Sequence, residues 1–130
     1  MVKFASVSII GGQTNGQDSN TRRVGPFCAG NPAAASSDLP MPYAGQLSDI
    51  VAHVNIAPGA AASGKAWDVA VMLNGVATAH TGTIFETADR CVIAGPVAIA
   101  YDDELAVLFT AVNVPAGAVK GWAAKFTEVT

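Results

Sequence analysis

The fold is decided by residues 67–81, which read WDVAVMLNGVATAHT. In the first half, Trp67, Val69, Val71 and Leu73 occupy every second position, so they share one face of a strand. Asn74-Gly75 then gives the strongest short hairpin signal, because both turn positions need a positive φ. Residues 76–81 are therefore predicted to return as the partner strand.

The same period-two pattern continues on both sides of this hairpin. Residues 46–56 predict a strand whose core face carries Ile50, Ala52, Val54 and Ile56. Its other face is mixed, as an interface or a rim would be, and carries Leu47, Asp49, Val51 and His53. Further strands are predicted at residues 2–10, 91–93, 97–100, 104–112 and 120–129. The chain is thus expected to be all-β, an antiparallel jelly-roll-like sandwich of about eight strands.

Residues 11–42 have a different composition, rich in Gly, Asn, Ser and Ala. Such a segment cannot bury enough apolar surface to fold alone. Its isolated apolar residues predict an extended arm laid over another surface, with a flexible linker as the alternative; they are Val24, Phe27, Leu39 and Met41, followed by Tyr43. The predicted division is therefore an N-terminal strand and extended arm at 1–42 and a jelly-roll-like sandwich at 43–130.

Composition narrows the function classes. The chain has 130 residues, enough for one domain, with 51% apolar and 13% charged residues, about half the ~25% charge of ordinary soluble domains. The net charge is -3 and the basic residues are scattered, which argues against nucleic-acid binding. No apolar run is long enough for a membrane span, and no signal-peptide block opens the chain, so synthesis in the cytoplasm is expected. The apolar excess predicts a subunit interface.

Common catalytic and nucleotide-binding motifs are absent from the sequence, so neither an enzyme nor a cofactor is expected. His53 and His80 are interpreted as strand-surface residues, since zinc needs three or four ligands. The cluster Asp102-Asp103-Glu104 is interpreted as a solvated turn, with a calcium site as the alternative. Cys28 and Cys91 are expected to be reduced thiols, and a bridge between them is the alternative.

Two further residue pairs have a structural and a functional interpretation. Trp67 and Trp122 have apolar neighbours two positions away, which favours core packing over a sugar-stacking platform. Arg22-Arg23, within the arm, is interpreted structurally as a pair of residues that form ion pairs; its functional interpretation is contact with an acidic patch on a partner protein, in preference to a phosphate contact.

Residues 41–129 resemble the small jelly-roll modules of tailed-phage virion proteins, including head decoration proteins and trimeric fibre heads. The resemblance rests on the lead-in at residues 42–45, the strand at 46–56 with the Pro-Gly-rich loop after it, and the Leu73-Asn74-Gly75-Val76 turn. It also rests on the acidic turn at 101–107 and on a closing strand with Trp122 and Phe126. It implies a trimer that assembles and does not catalyse.

The expected function is that of a structural virion protein which binds and stabilises an assembled phage capsid as a decoration or cement subunit. Its partners would be the major capsid protein and two further copies of itself, at the capsid surface, with no nucleic acid or membrane involved. The residues expected to contact partners are Arg22, Arg23, Val24, Phe27, Leu39, Met41 and Val51. The alternative is a receptor- or carbohydrate-binding module of a tail fibre or adhesin, which would use residues 82–90 or an exposed Trp.

Overall fold

Two sheets packed face to face form the part of the chain that a computed structural model describes, residues 7–14, 16–26, 29–30 and 39–128. No helix occurs among these residues. The strands are β1 (Val7–Thr14), β2 (Arg22–Val24), β3 (Ala29–Gly30), β4 (Leu39–Pro40), β5 (Gly45–Val54), β6 (Ala66–Leu73), β7 (Val76–Phe85), β8 (Arg90–Ile93), β9 (Val97–Ile99), β10 (Glu104–Val112) and β11 (Lys120–Glu128).

The six-stranded sheet has the order β3-β1-β11-β5-β8, with β9 also paired to β5. The five-stranded sheet has the order β2-β10-β6-β7, with β4 also paired to β10. The chain changes sheet at every connection between described strands except β6–β7 and β8–β9, so each sheet is built from strands distant in sequence. This arrangement confirms the predicted all-β, jelly-roll-like sandwich.

The hairpin predicted from Asn74-Gly75 joins β6 to β7. Both turn residues have positive φ, 54° and 78°, as a two-residue hairpin loop of this type requires. β7 continues to Phe85, four residues past its predicted end, and it bulges where its register with β6 shifts. The Thr78 hydroxyl stabilises this bulge, because it donates to the Val71 carbonyl oxygen at 2.7 Å and accepts the His80 amide at 3.2 Å.

The predicted faces of β5 need a correction. Leu47, expected on the mixed face, is fully buried in the core, and Ile56, expected in the core, is 43% exposed beyond the end of the strand. Leu47 is displaced by a bulge at Asp49, whose φ of 51° coincides with a register shift against β11, whereas Ile56 is exposed because β5 ends at Val54. One extra residue reverses the inward and outward alternation, so Leu47 and Ile50 both face the core.

The two tryptophans lie in the core between the sheets, as predicted. Trp67 is fully buried and Trp122 is nearly so, and the indole N–H of Trp122 donates to the Val24 carbonyl oxygen at 2.8 Å. The idea that an exposed Trp forms a sugar-stacking platform is therefore wrong. Leu47, Ile50, Ile84, Leu105 and Phe109 are among the other fully buried side chains.

The described part of the predicted arm is built into the sandwich itself. β2 and β4 both pair with β10, and Val24 and Met41 are buried in the core of the chain. Met41 is held by two backbone bonds of 2.8 Å, donating to Asp103 and accepting from Asp102. Phe27 and Cys28 lie outside the described residues, as does the side chain of Leu39. The apolar surface that Val24 and Met41 cover is thus the chain's own core.

A buried ion pair fixes the loop between β1 and β2. Lys120 is fully buried, with its ammonium 4.5 Å from the centre of the Trp67 ring. Its Nζ donates to Asp18 Oδ1 at 2.9 Å and to the carbonyl oxygens of Asp18 and Ala118, while Arg22 binds Asp18 Oδ2 at 2.8 Å. Burial acts to raise the pKa of Asp18, but the hydrogen bonds from Arg22 and Lys120 outweigh it and lower that pKa to about 2.

Candidate interaction surface

The outward face of the six-stranded sheet presents aliphatic side chains to solvent. One row of cross-strand neighbours runs Gly11, Ala123, Val51 and Val92, from β1 through β11 and β5 to β8. The residues that follow them in sequence face the core, including Ala124, Ala52 and Ile93. With strands about 4.8 Å apart, the row is about 15 Å wide.

Two further large hydrophobic residues lie on β1 before Gly11, where they are opposite Lys125 and Thr127 of β11. Val92 is 70% exposed, and on β1 Ile9 is 73% and Val7 59% exposed. We call the set Val7, Ile9, Val51, Val92 and Ala123 the apolar strip. Because single exposed hydrophobic residues are common but contiguous ones mark interaction sites, the strip is the strongest candidate surface of the described chain.

Glycine keeps the strip flat where β1 meets β11. A Cβ on Gly11 would collide with the carbonyl oxygen of Trp122, and one on Gly121 would lie 3.2 Å from the Cβ of Gln13. Side chains are therefore excluded there by close approach of the two strands. A flat, low surface of this kind allows close packing of another sheet or subunit.

Charged residues border the strip on two sides. At one side the His53 Nε2 and the Arg90 Nε approach the Asp89 carboxylate at 3.8 and 3.1 Å, and the hydrogen bond from Arg90 lowers the pKa of Asp89. At the other side the Lys125 Nζ lies 3.5 Å from the Asp49 carboxylate. An apolar centre with a polar, ion-paired rim is the usual anatomy of a protein interface.

The structure separates the residues that the sequence proposed as partner contacts. Val51 lies half-buried at the centre of the strip. Arg22 instead binds Asp18 within the chain, Val24 and Met41 are core residues, and Arg23 lies opposite Leu108 on the other sheet. Of these contact candidates, the structure brings Val51 alone into the strip among the side chains it describes.

Sequence reasoning missed Ile9, Val92 and Ala123. A signal was present, because Ile9 and Ile10 are consecutive, as are Val92 and Ile93, and adjacent residues of a strand point to opposite faces. One member of each pair must therefore face solvent. The prediction considered only the alternating apolar positions, so it did not identify the solvent-facing residue of each pair.

The other titratable candidates have structural partners. His80 Nδ1 lies 3.0 Å from the carbonyl oxygen of Ala94, which links β7 to the segment after β8. The Asp103 carboxylate accepts from the Asn74 amide at 2.9 Å and from the Ala100 N–H at 2.8 Å, so the acidic turn before β10 is tied to the β6–β7 hairpin. Within the described residues, no group of three or more His, Cys, Asp or Glu side chains could hold a metal ion.

Cys91 lies at the edge of the sandwich, half-buried against the core. A Cβ on Gly82 of β7 would lie 3.0 Å from its sulfur. Burial raises the pKa of the Cys91 thiol to about 11, so the thiol is protonated and unreactive at neutral pH.

Comparison with known protein families and with curated protein sequences finds no match to this chain. Across the part of the chain that the structure describes, no helix has the length and apolar character needed to cross a membrane.

Proposed function

We propose that this protein is a structural subunit that self-associates through the apolar strip, as a homotrimer, and binds an assembled phage capsid as a decoration or cement protein. The observation that carries the proposal is the row Gly11, Ala123, Val51 and Val92 across four strands of one sheet face, with the exposed Ile9 two residues before Gly11 on β1. Leaving such surface in water costs about 25 cal/mol per Å², so covering it with another copy favours association.

The capsid part of the proposal is supported by the resemblance of residues 41–129 to phage decoration modules. The low charged fraction of 13% also suits a protein whose surface is largely covered by neighbours. The proposed partner is the major capsid protein, and the proposed location is the capsid surface of the virion. A subunit that binds the assembled shell and not its free parts shifts the disassembly equilibrium toward the shell.

A trimer suits this mechanism because it presents three linked copies of each weak contact. Linking contacts raises the effective concentration of the second and third once the first has formed. Loss of the trimer is therefore expected to abolish shell binding even where the capsid-contacting residues are unchanged.

The experiment adds purified protein to capsid shells that lack it and measures bound copies and the temperature at which the shells open. The parent chain is expected to bind and to raise the opening temperature, whereas Val51→Lys should bind far more weakly. The control is the same substitution at a valine outside the strip, Val76→Lys. Val76 is 66% exposed and lies at the β6–β7 turn. No binding by the parent chain, or equal loss in both variants, would refute the proposal.

A further inference from the structure

The outward face of the five-stranded sheet carries a shallow groove between β6 and β7. Its volume is about 300 Å³, and it follows three successive cross-strand pairs, Asp68 with Thr83, Val69 with Gly82 and Ala70 with Thr81. Val69 points into the core, and a Cβ on Gly82 would point toward Cys91. Neither Val69 nor Gly82 places a side chain in the groove. The side chains of Asp68, Thr81 and Thr83 therefore form its walls, and Ala70 forms its floor.

The walls supply hydrogen-bonding groups that the chain does not use up. Asp68 Oδ1 accepts the Thr83 hydroxyl at 3.0 Å, which holds both side chains in place. Among the described residues, the second Asp68 oxygen and the Thr81 hydroxyl make no hydrogen bond within the chain. The groove thus offers a fixed carboxylate oxygen, the Thr83 hydroxyl oxygen as a further acceptor, and the Thr81 hydroxyl, which can donate or accept.

Charge restricts which ligands fit. Asp68 is the charged residue lining the groove, and the Arg23 position lies two strands away, beyond Leu108 on β10. The backbone separation is about 10 Å, and the carboxylate of Asp68 itself repels an anion within the groove. Phosphate, sulfate and carboxylate ligands are therefore disfavoured, and neutral ligands that donate hydroxyl protons are favoured.

Size restricts the ligand further. A volume of about 300 Å³ is at the low end of small-molecule sites and corresponds to one ring with its substituents. We propose that this groove binds a single neutral saccharide ring, with Asp68 accepting hydroxyl protons from the sugar and Thr81 and Thr83 completing the polar contacts. Because Trp67 and Trp122 are buried, recognition here uses hydrogen bonds without aromatic stacking.

The proposal does not depend on self-association or on a capsid, and it concerns the opposite face of the molecule. It also gives the carbohydrate-binding alternative a specific location. Residues 82–85, part of the segment expected to be a binding loop, are strand residues of β7, and the groove uses the outward side of that strand.

The test is an amide NMR titration of the intact chain with glucose, galactose, mannose and N-acetylglucosamine, and with glucuronate as the anionic counterpart. A glycan array run in parallel distinguishes free monosaccharides from terminal residues of larger glycans. We expect at least one neutral sugar, free or terminal, to bind at the groove, with a free-sugar affinity on the order of millimolar, and glucuronate to bind more weakly. The shifted amides should be those of residues 68–70 and 81–83.

Two variants and one control decide whether the groove is responsible. Asp68→Asn removes the charged acceptor and Ala70→Leu fills the floor; each should weaken the sugar response about tenfold or more. Asp102→Asn, at an exposed acidic turn outside the groove, should leave it unchanged. Thermal unfolding of all three verifies that the fold is retained. Absence of binding by every neutral sugar, glucuronate binding as strongly as the neutral sugars, or responses that survive both groove variants would overturn the proposal.

Discussion

The outward face of the six-stranded sheet and the outward face of the five-stranded sheet expose different kinds of side chain. On the six-stranded sheet, Ile9 and Val92 offer no hydrogen-bonding group, whereas on the five-stranded sheet Thr83, Asp68 and Thr110 form a polar row across three strands. Both faces cover the same core, so core packing does not explain the contrast. The difference indicates that one face is suited to burial against protein and the other to contact with water or a hydroxylated ligand.

Both outward faces of the sandwich lie over the same buried core, so a change that destabilises this core should affect both faces. Such a change has the largest expected effect. Asp18→Ala leaves the fully buried Lys120 ammonium without its carboxylate. Breaking a fully buried pair costs about 3–5 kcal/mol of unfolding free energy, and because the Asp18 side chain is 32% exposed we expect a loss of about 2–3 kcal/mol here. Urea denaturation measures the loss, and both self-association and sugar binding should weaken with it.

The control is Lys120→Met, which removes the buried charge itself and should cost less than Asp18→Ala. Equal free energies of unfolding for Asp18→Ala and the parent chain would show that this ion pair does not stabilise the core beneath the two faces.

Acid tests the same ion pair without mutation. The pKa of Asp18 is about 2 in the folded chain and about 3.8 when unfolded, so its contribution is present above pH ~4 and is lost as the pH falls toward 2. The contribution amounts to about 2.5 kcal/mol at most, because the pKa differs by about 1.8 between the two states and each pKa unit corresponds to ~1.4 kcal/mol. Urea midpoints measured between pH 5 and pH 2 should fall for the parent chain and fall less for a chain carrying Lys120→Met and Asp18→Asn together. Parallel decline in both chains would contradict this assignment.

A smaller effect distinguishes the faces from each other. Ile9→Ser should leave the fold intact, because Ile9 is largely exposed in the single chain, but should weaken self-association by about 1–2 kcal/mol per subunit interface. Sedimentation equilibrium measures the change. Thr81→Ser, on the groove face, is the matched control and should not alter association. An equal effect of both changes would mean that the faces are not functionally distinct.

Local signals predicted much of this fold. The period-two pattern and Asn74-Gly75 identified the central hairpin because strand alternation and turn geometry depend on neighbouring residues alone. The bulge at Asp49 was not predicted, since nothing in residues 46–56 marks where one strand gains a residue over its partner. One such residue was enough to place Leu47 in the core, although it was expected on the same face as Asp49.

The sites were less predictable because they depend on contacts between distant segments. Lys120 reads as an ordinary surface residue until the loop containing Asp18, about a hundred residues earlier, covers it. Val51 was identified from the mixed character of its strand, but its neighbours Ala123 and Val92 come from β11 and β8. The groove forms because two residues with little or no side chain, Gly82 on β7 and Ala70 on β6, lie close together on adjacent strands.

The central claim, that the apolar strip joins copies of this chain, is tested most directly by the mass of the purified protein in solution. Light scattering should give three times the 13.1 kDa of the chain for the parent and for Val76→Lys, and a single 13.1 kDa for Val51→Lys, which should still unfold cooperatively as a folded monomer. The loss is expected because a lone charge buried at an interface costs several kcal/mol. A monomeric parent, or a Val51→Lys variant that keeps the parent's mass, would contradict the account.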